Sequence, residues 1–243
     1  MFRLHDAATG QAGLVRPARP GELRIWVAGQ LDSDVIGPAG LRACLVADLV
    51  RRVAERHHLR VSAWHQAPGG GAEPAQALRA AWDALNIYPA ELAARPPEPI
   101  DVAVARNGEP GGSPAYRLEP GEVRPPALDT TGLDPLALRL ALLGHRYREP
   151  AILPGEVLAA ADQTLRRWRE QVAGWALSPS RPMAAEYTSD VLGALDDDLD
   201  GPAAVRSLHA LAADAGPPPG AKFEAFAYLD RLLGLDLARE VGR

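Results

Sequence analysis

The stretch WVAGQLDSDVIGPAGLR, residues 26–42, decides how the chain is read. A β-branched and aromatic run ends at Val27-Ala28-Gly29. A loop of Gln, Asp, Ser, Gly and Pro follows, and then an amphipathic segment begins. This is the strand–loop–helix junction at which α/β proteins set an anion against a helix N-terminus. The loop itself holds no Lys, His or Cys. It reads as the frame of a nucleotide site with no reactive side chain in it.

Outward from that junction, residues 23–29 read as a strand. Leu41, Leu45, Val46, Leu49, Val50 and Val53 recur at helical spacing over 39–57, and Arg51, Arg52, Glu55 and Arg56 read as the solvated face of that helix. LRVSAW (59–64) reads as a second strand. Strand, helix and strand in so short a span predict a βαβ unit and a parallel sheet. A short helix over 74–85, an irregular stretch to 99 and a third strand over 100–105 follow. Residues 106–127 are crowded with Gly and Pro, read as irregular, and place a domain boundary near their end. From Asp134, an N-cap candidate with Pro135 behind it, the pattern is helix after helix. These run from 134 through Tyr147, then over 154–175, 182–196, 201–216 and 222–234. The fold class expected is α/β plus all-α. A truncated Rossmann-like (HUP-type) parallel-sheet domain fills 1–128, and a helical bundle fills 129–243.

Bulk properties narrow the function. The 243 residues are 47% hydrophobic and can build a sizeable core. A net charge of −5 argues against strong nucleic-acid binding by charge alone. One cysteine, Cys44, allows neither an intrachain disulfide nor a Cys-based zinc cluster. No apolar run suggests a signal peptide or a membrane span, so a cytoplasmic protein is expected, with no membrane partner.

Five stretches then carry a resemblance: LHDAATGQAGLVRPARPGELRIWVAG (4–29), DALNIYPAELAARPPEPI (83–100), LDPLALRLALLGHRYREP (133–150), LDDDLDGPAAVRSLHALA (195–212) and YLDRLLGLDL (228–237). Between the first two, Asp34, Arg42, Asp48, Arg51, Arg52, Glu55 and Val61 fall in step without a gap. In this order they resemble the cysteinyl-tRNA synthetase family, a branch of the class I aminoacyl-tRNA synthetases. They equally resemble the ATP-dependent cysteine ligase of mycothiol biosynthesis. The resemblance implies a cysteine-activating site at the end of the first strand and a bundle that meets the anticodon stem of tRNA.

The chain departs from the family where the family does its chemistry. The family's first strand ends in a zinc-binding Cys; Ala28 stands here. Its HIGH-type ATP motif falls on Gly37-Pro38-Ala39-Gly40 or on Val35-Ile36-Gly37-Pro38, without histidine. Its lysine-bearing KMSKS motif has no counterpart, because the single lysine, Lys222, lies in the helical half. No cofactor is therefore expected: the zinc site is lost and ATP binding is doubtful. The expected function is that of a non-catalytic binding or regulatory pseudoenzyme. The alternatives are a remodelled ligase with an altered substrate and a structural partner subunit.

Gly29, Asp34, Arg42 and His65 are the candidates for a remnant nucleotide pocket. Equally, Gly29 serves a turn, Asp34 caps the helix and Arg42 makes a surface ion pair. Arg139, Arg146, Arg148, Arg166 and Arg167 are the candidates for contact with RNA or another partner, against a salt-bridged solvated surface. Asp196, Asp197 and Asp198 read as a helix end and not as a metal site. The partner candidates are a tRNA, a nucleotide or another protein.

Overall fold

The computed structural model describes residues 1–28, 37–69, 72–105, 113–125 and 129–243. In chain order the strands and helices are β1 (Arg3–Asp6), β2 (Gln11–Leu14), β3 (Glu22–Ala28), α1 (Pro38–Arg56), β4 (Arg60–Gln66), α2 (Ala72–Ala84), β5 (Glu91–Ala93), β6 (Val102–Ala105), β7 (Tyr116–Leu118) and β8 (Val123–Arg124). Then come α3 (Pro135–Leu143), β9 (Ala151–Ile152), α4 (Gly155–Trp175), α5 (Ala185–Asp196), α6 (Gly201–Ala213) and α7 (Pro219–Leu233).

One parallel sheet runs in the order β5-β4-β3-β6-β7. From β3 through β4 to β5 the chain advances in one direction. Right-handed crossovers therefore put α1 and α2 on the same face. The chain then returns to lay β6 on the other side of β3, which makes a switch point between β3 and β6. Side chains of β3 alternate accordingly. Leu23, Ile25 and Val27 enter the main core under α1. Trp26 and Ala28 face the other way, into a smaller cluster with Ile100, Ala103 and Ala105.

The expected α/β half and helical half are both present. β5, β7 and β8 arise in stretches that read as irregular. Each is two or three residues long, too short for a period-2 pattern, and is held by the strand beside it. The hairpin of β1 and β2 is likewise a tertiary feature: Asp6 bonds the backbone N–H groups of Ala8, Thr9 and Arg117 and ties the hairpin to β7.

In the helical half, Asp134 caps α3 as expected, accepting from the Leu136 N–H at 2.9 Å. α3 stops at Leu143, ahead of the expected end at Tyr147, because Gly144 follows. Residues 136–143 are all buried, so α3 is an inner helix, packed on α4.

α1 lies between the sheet and α7. That position overturns the reading of Arg52 as part of a solvated face. Only Arg51 and Glu55 behave so, as an exposed i,i+4 pair, while Asp48 and Arg52 are buried where the bundle covers the helix. Gly37, followed by Pro38 at the first helical position, holds the N-cap of α1. Among the described residues no helix is long and apolar enough to cross a membrane.

Candidate functional site

In an open parallel sheet, ligands bind beyond the carboxyl ends of the strands, at the switch point. Here those ends are Ala28 on β3, Ala105 beside it on β6, Gln66 on β4 and Ala93 beside that on β5. Three of the four are methyl groups, so the edge offers neither thiolate nor imidazole. Zinc needs such donors in a tetrahedral set, and the described residues at these four strand ends do not supply one. Among the described residues no group of three or more His, Cys, Asp or Glu converges as a metal site. Gly29 and Asp34 lie outside the described residues.

His65 sits one residue before the end of β4 and turns to the helix side of the sheet. It is 3% exposed, and the Trp82 ring meets it edge-on at 5.8 Å. Its Nδ1 lies 2.7 Å from the Gln66 carbonyl. A carbonyl only accepts, so the proton is on Nδ1. Burial pulls its pKa below the ordinary imidazole value, partly offset by that bond. Beside it Cys44 is buried, and desolvation pushes its thiol up to about 11. The cleft that His65 shares with Cys44, Asp48, Trp82 and Tyr88 holds about 20 Å³ of water-accessible space. That admits one water and no nucleotide.

Arg42 is 1% exposed, and its guanidinium is set among backbone carbonyls. Nη1 donates to the carbonyls of Glu149 at 2.7 Å, Gly121 at 3.0 Å and Glu122 at 3.2 Å, and Nη2 donates to that of Arg146 at 2.8 Å. This pins α1 to the turns around β8 and β9. Arg42 is thus an enclosed side chain bonded to backbone carbonyls, and not the surface residue expected.

Arg139, the first of the arginines read as partner contacts, is wholly buried at the centre of the molecule. Its Nη2 donates to Asp48 Oδ2 at 2.6 Å, its Nη1 to the Leu85 carbonyl at 2.9 Å and its Nε to the Leu233 carbonyl at 2.5 Å. Arg52 completes the arrangement. Its Nε reaches the same Asp48 oxygen at 2.8 Å, and its other nitrogens reach the carbonyls of Arg231 and Asn86. The remaining Asp48 oxygen accepts from the Tyr88 N–H at 3.0 Å. One carboxylate and two guanidinium groups thus join α1, the turn after α2, α3 and the end of α7. Gly234, at φ +66°, closes α7 where a Cβ would lie 2.8 Å from the Arg139 guanidinium.

The other arginines divide. Arg146 pairs with Asp200 at 2.5 Å and Arg148 with Asp198 at 2.9 Å. Asp198 also accepts from the Tyr147 hydroxyl and the His5 N–H. Burial, with Asp198 next in weight, pushes the Tyr147 pKa up. Asp196 holds Arg56 and His57. The acidic run is therefore the end of α5, tying the bundle to α1 and β1, as its reading as a helix end requires. Only Arg166 and Arg167 stay outside such ties. Arg166 is 59% exposed and pairs with Asp162 one turn back, and Arg167 donates to the Thr164 hydroxyl at 3.3 Å.

The comparisons agree with this frame. No family model matches the chain. Over 110 residues, 44% of the chain and 26% of the relative, it is 40% identical to the L-cysteine:1D-myo-inositol 2-amino-2-deoxy-alpha-D-glucopyranoside ligase of Streptomyces griseus subsp. griseus. Over 111 residues, with the same coverage of both chains, it is 38% identical to the ligase of that name from Gordonia bronchialis. Over 89 residues, 35% of the chain and 19% of the relative, it is 46% identical to the cysteine–tRNA ligase of Rhodospirillum centenum. The matched part of the chain is homologous to cysteine ligases. The chain spans about a quarter or less of the length of these curated relatives. Asp48 was placed in step with them by sequence but given no role. Its i,i+4 spacing to Arg52, on a face assigned to solvent, is the signal that was available.

Proposed function

We propose that this protein is a cysteine-ligase relative without aminoacyl-adenylate chemistry, acting as a binding or regulatory component. The observation that carries the reading is the carboxyl edge of the sheet. On the resemblance, Ala28 stands where the family has its zinc-binding Cys, and Ala93 and Ala105 add no polar side chain to the neighbouring strand ends. The single thiol and the best-placed histidine are buried beneath the sheet, the thiol raised far above neutrality and the imidazole lowered. Neither is a nucleophile or acid at this edge. A catalytic group of this kind is worth about 3 kcal/mol or more of transition-state stabilisation, so on this reading, in which the zinc-binding Cys and both ATP motifs of the family are absent, no adenylate formation is expected.

The test is ATP–pyrophosphate exchange with cysteine, alongside thermal shift with ATP, a cysteinyl-adenylate analogue and tRNA. A ligand of the folded state raises the melting point. No exchange, together with a shift from one of these, is expected. Exchange at rates typical of cysteine ligases refutes the proposal. If tRNA gives the shift, replacing Arg166 and Arg167 by Ala should lower the salt dependence of binding by about one to two charges.

A further inference from the structure

A cavity in the helical half, away from the sheet edge, is lined by charge. It runs along α7, where Glu224, Tyr228 and Arg231 follow one another at spacings of four and three and so share one face. Across from them lies the connection between α4 and α5, with Ser180, Arg181 and Met183. The cavity holds about 610 Å³ of space open to water, within the size range of small-molecule sites.

Its walls are fixed at both ends. The Ser180 hydroxyl donates to Glu224 Oε1 at 2.7 Å. One turn before Glu224, Gly220 lies so close to the connection that a Cβ there would collide with the Pro179 carbonyl. At the far end the Arg231 carbonyl accepts from Arg52 at 2.8 Å, so the backbone that carries the Arg231 side chain is tied to the Asp48 cluster.

The charges in the cavity are not spent on one another. Arg139, Arg146, Arg148, Arg169 and Arg239 of the helical half are each paired with a carboxylate. The guanidinium groups of Arg181 and Arg231 are exposed and have neither a carboxylate nor another acceptor among the described residues. Glu224 spends one oxygen on Ser180, and its other oxygen accepts from no described residue. Between Glu224 and Arg231 the half-buried Tyr228 ring and the Met183 thioether, 41% exposed, offer a surface for a flat body.

The order along α7 is therefore acceptor, ring, cation. Seven residues separate Glu224 from Arg231, about 10.5 Å of helix. Two guanidinium groups match the charge of about −2 that a phosphomonoester carries at neutral pH, whereas one carboxylate would leave the second guanidinium unmatched. We propose that this cavity binds a purine nucleoside monophosphate. Its phosphate meets Arg231 and Arg181, its base lies over Tyr228 against Met183, and N–H groups at the edge of the base donate to Glu224.

Calorimetric titration of the full chain with GMP, guanosine and inorganic phosphate tests this. A cavity open to solvent predicts a Kd for GMP of about 0.1–1 mM, with guanosine and inorganic phosphate each bound ~10-fold more weakly or worse. Arg181→Ala and Arg231→Ala remove exposed side chains and should keep the fold by circular dichroism while weakening GMP about 10-fold each. Glu224→Gln should weaken GMP and leave inorganic phosphate no worse bound. The proposal is overturned if GMP gives no binding at about 5 mM, if guanosine binds as well as GMP, or if GMP affinity survives both arginine substitutions. These variants lie away from the carboxyl edge of the sheet, so the titrations and ATP–pyrophosphate exchange succeed or fail separately.

Discussion

Replacing Asp48 by Ala removes the carboxylate ion-paired with two buried guanidinium groups, those of Arg52 and Arg139. Asp48 and Arg139 are fully buried and Arg52 nearly so, so water does not replace the lost partner. Breaking a buried ion pair from one side costs about 3–5 kcal/mol, and the Tyr88 N–H loses its acceptor as well. Against a total stability of about 5–15 kcal/mol, that is a large fraction. At about 2–4 °C per kcal/mol for a chain of this size, the melting point should fall by roughly 6–20 °C. The companion variant Asp48→Leu/Arg52→Met/Arg139→Met separates two explanations. A buried ionic cluster that bonds only to itself can be exchanged for hydrophobic residues at little cost. This one also satisfies the carbonyls of Leu85, Asn86, Arg231 and Leu233. The triple variant should therefore remain destabilised by at least ~2 kcal/mol, since each orphaned buried acceptor costs about 1–3 kcal/mol. Urea denaturation followed by circular dichroism and tryptophan fluorescence measures both. An Asp48→Ala protein within ~1 kcal/mol of wild type, or a triple variant as stable as wild type, refutes the view that this cluster holds α1 to the bundle.

Cys44 should resist iodoacetamide at pH 8 in the folded protein and react at the rate of an ordinary thiol once unfolded in urea, since burial holds its thiol near 11. Gly234→Ala should cost more than the ~1 kcal/mol of an ordinary positive-φ site, because its Cβ meets the Arg139 guanidinium; thermal melts would show this as a larger loss than Gly132→Ala, where φ is +75° but the space is open. Burial raises the carboxyl of Asp134, but bonds from Arg169 and Leu136 outweigh it and leave the pKa below the ordinary value. Its stabilising contribution is complete above the unfolded value near 3.9 and is lost as pH falls through the lower folded value. Asp134→Asn should accordingly flatten the loss of stability between about pH 5 and 2, measured as urea midpoint against pH.

The parallel sheet was legible because β3, α1 and β4 each have enough residues to display a period, and the bundle was legible for the same reason. What the sequence could not show is which polar residues would be enclosed. Arg42, Arg52 and Arg139 look like surface charge in a linear reading, because a guanidinium is normally solvated. Each becomes internal through carbonyls contributed by segments far along the chain: Glu149 for Arg42, Arg231 for Arg52 and Leu233 for Arg139. A spacing rule within one helix cannot anticipate such partners. The candidate site was legible in the opposite sense. Ala28 was singled out by the resemblance, as the residue standing where the family has its zinc-binding Cys, and the register that sets Ala105 beside it extends that apolar edge to a second strand.

Stability and chemistry place different demands on the residues of such a fold. Asp48, Arg52, Arg139 and Arg42 each satisfy buried groups on two or more elements, so losing any one leaves a buried charge or carbonyl without a partner and costs kilocalories. A ligand or catalytic group at the carboxyl edge of a sheet does the reverse. It is held partly desolvated and without full pairing until substrate or metal arrives, so replacing it by alanine is neutral or stabilising to the free protein. On the proposed reading, a chain no longer required to form adenylates is free to lose the second set and not the first. Ala28, where the resemblance implies a zinc-binding Cys, and the intact Asp48 cluster are then two consequences of one asymmetry. The retained frame follows from what holds the two halves together and gives no independent sign of retained activity.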